Sequence, residues 1–329
     1  MSDKNVELYE AYDIEVQQTS RGRGAILLRT DKGLLQLRQL DVNESRLNAE
    51  YIFKEKMYEV GFKNIDRCIR NKEDELVSYD RYGNPFVLRY FFEGKECNIT
   101  NKEEINLAVD NLARLHIAGK KVFDSTESDV HIRVSGDFRR RNAELKRVRN
   151  YICKKRPRKE FEDTYIKAFD YFFKQAIECE KNNISMEVRD EGTHMGYCHG
   201  MYNQHSVVML QNENSIAGTI NFDKFYVGNQ LTDLYHFIRK TVEKNNYNFE
   251  VLEDILQRYN EICPLNDMDV KYIYTLYRYP EKFYKISNQY INSSKNWISP
   301  KMLEKLEKVI GDEDNKKYIL DRMEKIKLN

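Results

Sequence analysis

Phe86-Val87-Leu88-Arg89-Tyr90-Phe91-Phe92-Glu93-Gly94 is the stretch at which the chain changes from one kind of patterning to another. Before it, from Tyr12 to about Arg89, short apolar runs alternate with turn residues. Ala25-Ile26-Leu27-Leu28 and Leu34-Leu35-Gln36-Leu37-Arg38-Gln39-Leu40 flank Thr30-Asp31-Lys32-Gly33, which reads as a hairpin turn. Leu76 to Tyr79 and Phe86 to Tyr90 read as two further strands around Tyr82-Gly83-Asn84-Pro85. Between these pairs, Arg46 to Val60 sets Leu47, Ile52, Met57 and Val60 among charges, which predicts a helix closed by Gly61. After Gly94 the text is mainly helical. Lys102 to Ala118 puts Ile105, Val109, Leu112 and Leu115 on one face, with Thr100 as the expected cap. Helices are also expected over Phe161 to Lys181, Leu231 to Glu243, Phe249 to Ile262, Val270 to Tyr279 and Pro300 to Ile310. Only between Tyr197 and Phe225 does strand-and-loop text return, at Val207-Val208-Met209-Leu210 and Thr219-Ile220. The expected class is α+β, with a small strand-rich region over 1–91 and a mainly helical one over 92–329.

Composition narrows the function classes. The chain has 329 residues, 54 Lys+Arg against 53 Asp+Glu, 41% hydrophobic residues, 14 Gly and 5 Pro. A chain of this length buries roughly 75% of its unfolded surface, so disorder, collagen and a disulfide scaffold are excluded. A net charge of +1 gives no global reason to expect nucleic-acid binding. The opening MSDKNVELYEAYDIEV contains acids and no apolar core, so a secretory signal is not expected. No run approaches 18 apolar residues, so membrane insertion is not expected either. Six cysteines without a C-x-x-C pair read as reduced thiols of a protein kept inside a cell.

One local charge run departs from this balance. Arg139 to Lys159 holds 11 Lys/Arg and a single acid, Glu144. It reads first as the solvated face of a helix with its following loop. The other reading is a docking surface for an acidic partner or phosphate.

The motifs fall in the order of the protein-kinase-like phosphotransferases. The Phe86–Gly94 stretch resembles the hinge of the aminoglycoside phosphotransferase and choline kinase group, and Asn111-Leu112-Ala113-Arg114-Leu115-His116 resembles the helix that follows it. Cys198-His199-Gly200-Met201-Tyr202-Asn203-Gln204-His205-Ser206 resembles the H-G-D-x-x-x-x-N catalytic loop. Thr219-Ile220-Asn221-Phe222-Asp223 resembles the metal-binding segment, and Asp233-Leu234 the downstream structural Asp. Within that group, Ile220-Asn221-Phe222-Asp223-Lys224, Phe92-Glu93-Gly94-Lys95-Glu96-Cys97 and the ending Tyr279 to Tyr290 followed by Asn296-Trp297-Ile298-Ser299 resemble the CotS-type spore coat proteins of endospore-forming bacteria. The resemblance runs from about Tyr12 to Ile310. It implies a two-lobed protein-kinase-like fold, with a small antiparallel-sheet N-lobe and a larger helical C-lobe.

It also implies where phosphoryl transfer would be carried, and there the chain departs from the pattern. The acceptor-orienting Asp is replaced by Met201, whose thioether cannot take a hydroxyl proton. The metal-holding Asn falls on Ser206. The metal-bridging Asp falls on Asn221, which leaves Asp223 as the acid of that segment, and Mg²⁺ favours carboxylates. The phosphate-pairing Lys of the third strand falls on Arg38, with Glu50 as its expected helix partner and Glu55 as the alternative. Arg21 and Arg23 stand in Arg21-Gly22-Arg23-Gly24, where a phosphate-covering loop would lie, and Glu93 at the hinge. His199 and Asp233 are expected to hold the loop, and His116 to pack in the core.

Four concurrent departures point to a CotS-like spore coat protein with a degenerate site, a pseudokinase in a structural or scaffolding role in coat assembly. Its expected partners are other spore coat proteins, with no nucleic acid. Its expected place is the spore coat, reached from the mother-cell cytoplasm. The expected cofactor is none, or weakly held ATP/Mg. Two alternatives remain: an active ATP-dependent phosphotransferase acting on a small hydroxylated metabolite or coat component, with Asp223 carrying the metal, and a nucleotide- or anion-binding pseudokinase.

Overall fold

A computed structural model of the chain describes residues 6–22, 24–125, 138–187, 194–210, 217–293 and 300–327. The chain forms two compact units, Met1–Arg133 with Met195–Phe237 and Glu261–Cys263, and Val134–His194 with Ile238–Asn260 and Pro264–Asn329.

The first unit begins with a short helix α1 (Val6–Glu10) and a hairpin meander β1 (Val16–Gly22), β2 (Ala25–Thr30) and β3 (Gly33–Gln39). Helix α2 (Glu44–Glu59) follows, then β4 (Cys68–Ile69), β5 (Ser78–Tyr79) and β6 (Pro85–Tyr90). These strands form one antiparallel sheet in the order β1-β2-β3-β6-β4, with β5 also on β6. The β2–β3 turn is the hairpin expected at Thr30–Gly33, with Gly33 at φ 96. The sheet buries Leu28, Leu35, Leu37 and Leu88 against Leu8 and Tyr12.

Helix α2 starts at Asn43, whose side chain accepts from the Arg46 N–H, and stops before Gly61 at φ 102. Its inward face carries Leu47, Phe53 and Met57, but also the charged pair Glu50 and Lys54.

The remaining elements of this unit are β7 (Gly94–Glu96), α3 (Lys102–Asp124), β8 (Met195–Cys198), β9 (Val207–Leu210), β10 (Ala217–Thr219) and β11 (Tyr226–Asn229). They make two small sheets, β10-β9-β7 and β11-β8. The cap of α3 is Asn101, whose side chain accepts from the Glu104 N–H, and not the expected Thr100. Thr100 instead donates to the Asn98 side chain in the preceding turn. Phe53 stacks on Tyr197 and Phe225, with Phe222 tilted against it, in the core that joins α2 to the strands around residue 220.

The second unit is helical: α4 (Phe138–Lys154), α5 (Glu160–Glu187), α8 (Asp267–Arg278), α9 (Glu281–Asn292), α10 (Pro300–Gly311) and α11 (Glu313–Met323). Helices α6 (Leu231–Lys244) and α7 (Phe249–Ile262) lie partly in each unit. Aromatic contacts fill its core, with the Phe283 ring 4.8 Å from Tyr165 and 4.5 Å from Phe172. Tyr272, Leu276, Tyr279 and Phe283 are buried, as expected of a core stripe. Helix α9 interrupts the expected spacing: Pro280 closes the preceding run, and Phe283, Tyr284, Ile286 and Tyr290 start a new apolar face. Trp297 lies outside the described residues.

Candidate functional site

The loop after β8 is held from below by one carboxylate. Asp233, fully buried at the start of α6, accepts from the His199 N–H at 2.6 Å and from the Gly200 N–H at 2.9 Å. Burial pushes this carboxyl up, but the neighbouring imidazole of His116, 3.6 Å away, brings it below the ordinary value. His199 is locked in one neutral tautomer. Its Nε2 faces the Ile220 carbonyl at 2.9 Å while Nδ1 accepts from the Met201 N–H, so a second proton has no place, and burial lowers its pKa. Gly200 is required here. Its φ is +87, and a Cβ would stand 2.0 Å from the Lys224 carbonyl oxygen.

Beyond this anchor, Met201 is 52% exposed. Tyr202 turns inward, donating to the Ala108 carbonyl at 2.7 Å and accepting from Asn111, which also reaches Thr219. Ser206 spends its hydroxyl on the loop itself, accepting from the Asn203 N–H and donating to the Asn203 carbonyl. The Ser206 hydroxyl and the Asn203 side-chain oxygen are therefore occupied in holding the loop's own backbone.

Arg38, on β3, reaches the same place from the large sheet. Its Nη1 lies 3.3 Å from Asn221 Oδ1 and 3.3 Å from Asp223 Oδ2. Asn221 adopts φ 67, and its N–H donates to Asp66 Oδ2 at 3.1 Å. Arg46, from α2, grips the Asp223 and Phe225 carbonyls. Of the residues that the resemblance assigns to the metal, a divalent ion would find one carboxylate, already ion-paired to a guanidinium, one amide oxygen and an engaged hydroxyl, and the neighbouring Asp66 is held by Lys54. That donor set does not fit Mg²⁺, which takes oxygen ligands at about 2.1 Å and favours carboxylates. Among the described residues no group of three or more His, Cys, Asp or Glu is placed to share a metal.

Glu50 does not pair with Arg38. It is 1% exposed, 2.5 Å from Lys54 Nζ and 3.2 Å from Arg89 Nη2. Lys54, itself fully buried, also lies 2.7 Å from Asp66. The physical reason is local: Glu50 and Lys54 stand one helical turn apart on the inward face of α2, so Lys54 reaches the carboxylate first. Burial opposes ionisation of Glu50, yet Lys54 and Arg89 hold its pKa down at about 2. The alternative partner, Glu55, is ion-paired with Arg67. Glu93 accepts from Arg29 of β2 at 2.7 Å. Arg21 is exposed on β1, and Arg23 lies outside the described residues.

The structure thus gathers Arg38, Asn221 and Asp223 into one hydrogen-bonded group, and His199 with Asp233 into another. Glu50 belongs instead to a buried four-charge cluster with Lys54, Asp66 and Arg89. Sequence reasoning passed over the last three; the only trace was Glu50–Lys54 spacing on a helix face that must be buried.

A family model described as "Spore coat putative kinase YutH" matches residues 5–323. The chain belongs to this spore coat family. No curated protein gives a significant match. Among solved structures, an aminoglycoside phosphotransferase from Alicyclobacillus acidocaldarius has a TM-score of 0.80 at 14% identity, covering 96% of this chain and 94% of that one. Spectinomycin phosphotransferase APH(9)-Ia, solved with ADP and spectinomycin, has a TM-score of 0.67 at 14% identity over 98% of both chains. Choline kinase from Cryptosporidium parvum has a TM-score of 0.54 at 12% identity, over 94% of this chain and 90% of that one. These likenesses show the fold alone: the spore coat family member is an α+β chain with the protein-kinase-like fold that those phosphotransferases and that choline kinase share.

Proposed function

We propose that this member of the spore coat kinase family is a pseudokinase, a coat protein whose kinase-like fold carries a degenerate phosphotransfer site and serves coat assembly. Its proposed partners are other coat proteins, and its proposed place is the spore coat, reached from the mother-cell cytoplasm. The observation that carries this reading is the Arg38 guanidinium, 3.3 Å from both Asn221 and Asp223. A fixed cation there neutralises the acid on which a divalent ion would depend, and Met201 supplies no base across from it. Phosphoryl transfer depends on positioned cations and an oriented hydroxyl, so loss of both removes its two main supports.

A second reading has its own support: Arg38 keeps 27% of its side chain exposed, and a guanidinium is a good phosphate donor. On this reading the site holds a nucleotide or other phosphate anion without turnover. Thermal-shift titration with ATP, with and without Mg²⁺ or Mn²⁺, and measurement of ADP release test both. A nucleotide bound with Kd ~0.1 mM adds about 2.7 kcal/mol at ~10 mM, a shift of several degrees. The scaffold reading expects no divalent-dependent shift and no ADP. Metal-independent stabilisation supports the second reading, and ADP release that disappears in Asp223→Ala overturns both.

A further inference from the structure

The basic run beginning at Arg139 is resolved by the structure into two sets of residues. Helix α4 buries Phe138, Asn142, Leu145, Val148 and Ile152 along one side. Basic residues near that side or in the following loop have carboxylates to meet: Arg141 pairs with Glu281, Lys155 with Glu162 and Arg158 with Asp163. Those pairs account for the structural share of the charge.

The opposite side of α4 is different. Arg139, Arg140, Lys146, Arg147 and Lys154 are all exposed and fall within one face at helical spacing, separated by Ala143 and Asn150. Arg140 meets Glu144 at 3.0 Å, and Arg139 lies 3.9 Å from Glu180. For Lys146, Arg147 and Lys154 no carboxylate lies within ion-pairing distance among the described residues. Lys146 lies over the Phe173 ring, 5.4 Å from its centre. Among the described residues, the ion pairs of this stripe therefore lie at its N-terminal end, at Arg139 and Arg140.

We propose that the outward face of α4 is a docking surface for a partner protein that presents a run of Asp and Glu side chains. The stripe is about 22 Å long at 1.5 Å per residue, which matches roughly seven extended residues. Its charge is concentrated on a chain whose net charge is only +1, so the attraction is local and oriented. Nucleic acid is the poorer occupant, because no exposed aromatic stands among the cations to stack on bases; Tyr151 is half-buried. A membrane surface is also poorer, because Ala143 and Asn150 offer no large apolar side chain to insert. The inference is independent of whether the site on the first unit binds nucleotide.

The test uses the full chain and a fluorescent polyglutamate peptide, with a DNA duplex and phosphatidylglycerol vesicles as competing probes. Binding is followed at low ionic strength and at ~150 mM salt, where the Debye length is about 8 Å. The variant is Lys146→Glu/Arg147→Glu/Lys154→Glu, and the control is Lys301→Glu/Lys305→Glu/Lys308→Glu on the exposed side of α10, with the same charge change. Circular dichroism checks that both keep their helices, and Lys146→Gln/Arg147→Gln/Lys154→Gln repeats the test without reversed charge. The expected result is peptide binding that weakens about tenfold in the α4 variant, changes less than about twofold in the control, and fades with salt. Absence of peptide binding at low salt, equal loss in variant and control, or tighter binding of DNA or vesicles than of the peptide would each overturn the proposal.

Discussion

Replacing Lys54 with Met tests whether the buried charges of α2 hold the candidate site in shape. Met is close to Lys in length and apolar, so packing changes little while the ammonium is lost. Glu50 would keep Arg89, but Asp66 would lose its 2.7 Å ion-pair partner while remaining 2% exposed. Breaking a buried pair from one side costs about 3–5 kcal/mol, because the remaining charge is left uncompensated. The pKa of Glu50 gives an independent scale. Its fall from 4.5 to about 2 is a preference for the ionised form of about 3 kcal/mol. For a unit of this size each kcal/mol moves the midpoint about 2–4 °C, so Lys54→Met should lower the first thermal transition by about 6–20 °C. The assay is differential scanning calorimetry at pH 7 on wild type, Lys54→Met and Lys54→Met/Asp66→Asn. The double variant should recover part of the loss, since it removes the stranded charge. A drop of less than about 2 °C in Lys54→Met, below the range just given, would refute the reasoning.

Three further outcomes are expected. Stability supplied by Glu50 is complete above about pH 4.5 and is lost as pH falls toward 2, because the unfolded carboxyl protonates first. Asp66, pushed upward by burial, returns part of it; an acid titration of Tm should be flatter for Glu50→Gln than for wild type. Gly200→Ala should cost well over the ~1 kcal/mol expected of Gly33→Ala, since only Gly200 adds a 2.0 Å clash with Lys224 to its positive φ; chemical denaturation of the two variants compares them. Met201→Asp alone should release no ADP from ATP in a coupled assay, because Asn221 and the Arg38-paired Asp223 still leave the divalent ion without a seat.

Much of the fold was written in local pattern. Alternation around Thr30–Gly33 and the 3.6-residue spacing of Ile105, Val109, Leu112 and Leu115 are consequences of neighbours along the chain, and both elements formed where they were expected. The start of α3 was less legible. Thr100 and Asn101 are both competent caps, and only the backbone path of the preceding turn decided that Asn98 would take the Thr100 hydroxyl. At the site, the departures at Met201, Ser206, Asn221 and Arg38 could be read from motif order. What they do with their spare atoms could not: Ser206 turns back onto Asn203, and Arg38 finds Asn221 and Asp223 across 183 and 185 residues of sequence.

The sequence by itself determined which residue types occupy each position, and therefore that no hydroxyl-orienting acid follows His199 and Gly200. It also determined the helical and extended segments, because backbone conformation answers mainly to neighbours within one turn or one hairpin. Only the tertiary structure decided which charges meet. Arg89 reaches Glu50 from a strand, and Lys54 reaches Asp66 beyond its own helix, across elements that local pattern places independently. A charge removed from water must find an opposite charge, and which one it finds depends on how those elements pack.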